Sequence, residues 1–149
     1  MKRFLKAFVV CTLALSMLCA CGSKYKATNL ETVKSTLESL DYYDESLTIT
    51  RVTEEFEKMD GLLTVGWKFA FLDFKKDTEA CDGEFEAEVK RAGTVSRNEN
   101  GNYCIVEADD DLIYRLIIRV DNTYIVIMGS PDDEDDMKDL ARELGYIID

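Results

Sequence analysis

Five cysteines carry the most distinctive chemistry in this chain of 149 residues, and three of them, Cys11, Cys19 and Cys21, fall within its first 21. The other two, Cys81 and Cys104, form an even pair. In an exported chain such a pair reads in two ways. It is either a disulfide closing a loop of about 24 residues, worth roughly 3–4 kcal/mol in the chain-entropy picture, or two buried thiols acting as small hydrophobes. No CxxC spacing marks them as metal ligands. Histidine is absent. That removes Ser-His-Asp and Cys-His nucleophiles, His-ligated zinc and the commonest general base.

The remaining reactive groups are carboxylates. "DDEDD" (132–136) and "EADDD" (107–111) offer oxygen ligands of the kind calcium takes, but neither has the alternating D-x-D-x-D-G spacing of a calcium loop. Consecutive acids at a helix start radiate from the axis and are stabilised there by the helix dipole alone. A glycosidase needs two carboxylates, yet among 30 acidic residues no one pair stands out. The expectation is therefore no catalytic residue, no metal and no cofactor.

Cys21 has a context of its own. Lys2, Arg3 and Lys6 precede an uncharged apolar run from Ala7 to Leu18, the layout of an export signal. The run is shorter than the ~20 apolar residues of a permanent span. It ends in Leu18-Cys19-Ala20-Cys21, which resembles the bacterial lipobox: a branched aliphatic residue, a small one, Ala or Gly, then Cys. Cys19 stands where Ala or Ser is usual. The resemblance implies a signal peptide over 1–20, cleavage before Cys21 and diacylglycerol on its thiol, with palmitate-type chains. Two acyl chains anchor stably where one holds only marginally. Residues 21–28 are expected to be a tether. No Asp follows Cys21, so the inner-membrane retention signal of Gram-negative lipoproteins is missing. The expected address is the extracytoplasmic face of the cell membrane, or the outer membrane in a Gram-negative cell.

Charge narrows the partners. The chain has 18 Lys and Arg, three of them in residues 1–20, so 15 bases against 30 acids remain beyond the signal. Such a surface repels nucleic acid and anionic headgroups. The apolar fraction of 46% is too high for disorder.

Residues 29–149 are expected to form a single domain. Leu30, Val33, Leu37 and Leu40 make one helical stripe, capped by Asn29 or Thr28. "SLTITRVTEEF" reads as a strand and Lys58-Met59-Asp60-Gly61 as a turn. A long strand then follows with Leu63, Val65, Trp67, Phe69 and Phe71 on one face. The stretch 77–93 fits both periods. Its Glu, Ala and Lys content favours a helix capped by Asp77 or Thr78 and ended by Gly93. "SRNENGN" reads as a loop. Three strands come next, around 103–108, 111–120 and 123–129, with a tight turn at Asp121-Asn122. Ser130-Pro131 opens a last helix with Met137, Leu140, Ala141 and Leu144 on its buried face.

The predicted order is α-β-β-α-β-β-β-α: an α+β domain, mainly antiparallel, with the helices packed on one face of the sheet. "KSTLESLDY" and "KDLARELGY" echo each other. With the lipobox, the final "RVDNTYIVI…LARELGY" region resembles small lipoproteins of anaerobic Gram-positive bacteria that carry one α+β domain. That resemblance implies an address and no activity.

Three further residues are binding candidates. Trp67 reads as core, or else as an aromatic platform for a ligand. Arg115 and Arg119 either pair with acids across the sheet or offer a carboxylate a place to dock. The function expected is non-catalytic binding of an envelope protein or ligand by a membrane-anchored domain. The alternative is an accessory enzyme acting on envelope polymers through carboxylates.

Overall fold

The computed structural model describes residues 25–147. Three helices pack on a seven-stranded sheet. Helix α1 (Leu30–Ser39) leads into β1 (Thr48–Val52), β2 (Glu57–Leu62) and β3 (Lys68–Asp73). Helix α2 (Thr78–Ala92) follows, then β4 (Ser96–Asn100), β5 (Tyr103–Asp109), β6 (Tyr114–Val120) and β7 (Thr123–Gly129). A 3-10 turn (Pro131–Asp133) runs into α3 (Glu134–Glu143). The strand order is β1-β2-β3-β7-β6-β5-β4, and every neighbouring pair is antiparallel.

The α+β class and the antiparallel sheet are as expected, but the element order is not. Two strands were missed. The Asp60-Gly61 turn signal lies inside β2, and the chain turns instead at Leu63–Trp67, where the Gly66 amide donates to the Leu63 carbonyl at 2.8 Å. β2 hides from a pattern search because Met59 is its only fully buried residue. β4 occupies the "SRNENGN" loop. It is an edge strand with every side chain exposed, so it carries no apolar alternation.

The helices also lie on both faces of the sheet. Alternation along β5, β6 and β7 makes two apolar surfaces. Leu116, Ile118, Val120, Ile125 and Ile127 join Phe69 and Phe71 against α1 and α3. Cys104, Val106, Ile117, Tyr124 and Val126 lie on the opposite face, under Cys81, Phe85 and Val89 of α2. Arg115 and Arg119 interrupt that second face in the sequence, which is why one covered face was expected. Each fully buried Leu, Ile or Phe contributes about 1.5–3 kcal/mol.

The caps follow local chemistry. Asn29 accepts the Thr32 amide at 2.9 Å and Asp77 accepts the Ala80 amide at 2.9 Å. The echoed segments end their helices identically. Asp41 (φ 58°) and Gly145 (φ 80°) are left-handed. The Tyr42 amide reaches the Leu37 carbonyl at 2.9 Å and the Tyr146 amide reaches the Ala141 carbonyl at 2.8 Å, the six-to-one bond of a Schellman cap. Of the expected tether, residues 25–28 are described: Tyr25 stacks on Tyr103 with ring centroids 4.0 Å apart, and Ala27 packs against the core.

Candidate functional site

Helix α2 covers β5, β6 and β7 on the second face and leaves β1, β2 and β3 open beside it. A groove of about 620 Å³ runs there, floored by Leu62, Ala70, Leu72 and Met128 and rimmed by Lys68 and Glu88. Ile49, on the same face beyond it, is 60% exposed, and Leu62 is 41% exposed. On the first face a groove of about 770 Å³ lies between α1 and β1, lined by Glu31, Lys34, Tyr43, Glu45, Thr50 and Glu57. Strand β1 is the sheet edge between the two grooves.

Gly61 seats that edge. It pairs with Thr48, and a Cβ there would stand 2.1 Å from the Leu47 carbonyl oxygen. Around the edge, Lys58 pairs with Asp60 at 2.5 Å, and Lys34 lies 3.9 Å from Glu38 and 5.0 Å from the centre of the Tyr43 ring. Among the described residues, Glu31, Glu45 and Glu57 form no salt bridge.

The residues singled out by type lie elsewhere. Trp67 is 5% exposed, its indole N–H donates to Asp133 Oδ2 at 2.9 Å, and its ring meets Tyr42 edge-on at 5.7 Å. It clamps the start of the last helix to the β2–β3 turn, and Gly129 leaves room for it: a Cβ at Gly129 would lie 2.6 Å from Trp67 Cδ1. Arg115 pairs with Asp110 at 3.1 Å. Arg119, its side chain 12% exposed, pairs with Asp82 and with Glu99 at 3.3 Å. Arg97, which sequence reasoning passed over, grips Glu86 through Nη1 and Nη2 at 3.0 and 2.7 Å. Both Arg97 and Arg119 lie over the Phe85 ring. This network ties α2 to β4 and β6. The Arg97 hydrogen bonds hold the Glu86 carboxyl below its usual range.

Cys81 and Cys104 are free thiols, both buried in the cluster beneath α2. Burial, helped by the neighbouring Asp82 charge, pushes Cys81 up to about 12, and burial likewise raises Cys104. Cys21 lies outside the described residues. In "DDEDD", Asp133 holds Trp67 and Glu134 pairs with Lys138 at 2.7 Å. In "EADDD", Asp110 accepts the Ile113 amide at 2.9 Å. Among the described residues, no three His, Cys, Asp or Glu side chains converge as a metal site. Also among these residues, no helix is long and apolar enough to cross a membrane.

No protein-family model and no curated protein matches this chain. Its architecture defines a three-layer α+β protein, and among solved structures the crystal structure of a GTP-binding regulator from Thermotoga maritima is similar. The two align with a TM-score of 0.51 at 14% identity, over 82% of this chain and 91% of that one. At that identity the likeness is one of fold.

Proposed function

We propose that this protein is a lipid-anchored component of the extracytoplasmic membrane face, whose one α+β domain binds a partner and does not transform a substrate. The observation that supports binding is the open flank: an unpaired edge strand with exposed apolar side chains and a groove on each side. The groups suited to nucleophilic or acid–base chemistry support the same reading. The thiols are buried with raised pKa values. The anchor rests on Leu18-Cys19-Ala20-Cys21 at the end of an uncharged run. The nucleotide in the structural neighbour's name is not carried over, because a chain of formal net charge −12 repels polyphosphates.

Metabolic labelling with a palmitate analogue tests the anchor. The wild type should take the label and stay with the membrane, and Cys21→Ser should lose both. Equal labelling of the two proteins would overturn it. For the binding half, photo-crosslinkers placed at Ile49 and Leu62 in the native envelope should give discrete adducts, while one at exposed Glu143 should not. Turnover of an envelope glycan by the purified chain would overturn that half.

A further inference from the structure

The two edges of the sheet are built differently. The β4 edge, Ser-Arg-Asn-Glu-Asn, carries only polar and charged side chains, the usual protection against strand addition. The β1 edge is less protected: Arg51 is its one charged side chain, and Ile49 is 60% and Val52 62% exposed, on opposite faces. Its backbone polarity can be assigned. The Leu62 amide donates to the Leu47 carbonyl and the Thr53 amide to the Phe56 carbonyl. In the antiparallel register, Ile49 and Arg51 therefore also turn their amides and carbonyls toward β2. Thr48, Thr50 and Val52 turn theirs outward.

A strand laid along those three residues would send alternate side chains to opposite faces. One set would enter the groove beside α1, where Glu31, Glu45 and Glu57 form no salt bridge among the described residues. The other would lie against Ile49 and the aliphatic stem of Arg51, whose charge disfavours a basic residue there. Charge decides the occupant. A second copy of this chain would bring its own acidic groove against this one, whereas an extended segment with basic residues on one face and aliphatic residues on the other satisfies both sides.

We infer that β1 accepts an extended segment of a partner protein, alternating Lys or Arg with aliphatic residues, by strand addition. This rests on the reading of the domain as a binder, and it adds the mode and the chemistry of the partner.

The test uses the full chain in non-ionic detergent and a fluorescent synthetic peptide of alternating Lys and Val. Thr50→Pro removes an outward amide and leaves the β1–β2 ladder intact, so its melting curve should match the wild type. It should weaken peptide binding by about tenfold or more. Replacing Glu31, Glu45 and Glu57 by Gln should also weaken it, and an alternating Glu and Val peptide should not bind. A Lys-Val peptide N-methylated at every residue, which has no amide left to donate to a ladder on either edge, should fail against the unaltered protein. That arm keeps the test valid if Thr50→Pro does not fold. Equal binding by the N-methylated peptide would mean adsorption to an acidic surface and would overturn the inference. So would absence of binding by the Lys-Val peptide, or a dimer in sedimentation that Thr50→Pro dissolves. None of these results alters the crosslinking outcome at Ile49, which judges the binding reading separately.

Discussion

At Cys81 and Cys104, burial decides reactivity. A thiolate is the nucleophile in alkylation and disulfide exchange, and the apolar cluster around both sulfurs disfavours the anion. Site-resolved mass spectrometry after iodoacetamide treatment at neutral pH should find both residues unmodified in the native chain. In urea without reductant both should be alkylated. A block that persists in urea would show the pair oxidised to a disulfide, and ready labelling of the native chain would contradict the burial. Trp67 shows the same point for an aromatic ring. Its size suggests a platform, but its N–H is held by Asp133 and its ring lies in the core.

Among the elements, β1 is one of two edge strands. It pairs on one side only, and glycine at position 61 lets it lie close. Gly61 has φ of 154°, and the atoms a Cβ would meet are the backbone of Leu47 and Thr48, which cannot swing aside as a side chain could. Gly61→Ala is expected to cost about 2–3 kcal/mol through strain and lost pairing. Hydrogen exchange reads this directly. In the wild type the Ile49 and Arg51 amides should be protected and the Thr50 amide fast. In the variant all three should be fast, with the β6–β7 amides still slow. Unchanged protection at Ile49 would show that β1 does not depend on this close approach.

Across the whole molecule, stability should fall on the alkaline side. Burial, chiefly, raises Cys81 and Tyr103 to about 12 and also raises Tyr114, Tyr124 and Tyr146. These groups are neutral when protonated. The unfolded chain gives up its thiol and phenol protons near their ordinary values of about 8.5 and 10, while the folded chain keeps them. The folded state therefore binds more protons from about pH 9 to about pH 12, and stability declines as pH rises through that window. Below it the contribution is complete. Denaturant midpoints measured at stepwise higher pH should hold level to about 9 and then drop, with tyrosinate absorbance appearing alongside unfolding. A level profile through pH 11 would contradict it.

The sequence by itself determined what neighbours along the chain decide. The Asn29 and Asp77 caps, the apolar stripes of α1 and α3 and the helix over 78–92 all rest on contacts within a few residues. The missing histidine and the acidic balance likewise need no fold to narrow the chemistry. Tertiary structure decided the rest. β2 and β4 are strands because the adjoining strands of their hairpins supply their hydrogen bonds, although their own side chains show little apolar alternation. Arg97 finds Glu86, and Arg119 finds Asp82, only when α2 crosses the second face. β1 is an open edge because the strand order puts it at one end of the sheet and β4 at the other. Strand partners distant in sequence are set by which apolar faces can be buried together, and that balance is settled by the whole chain at once.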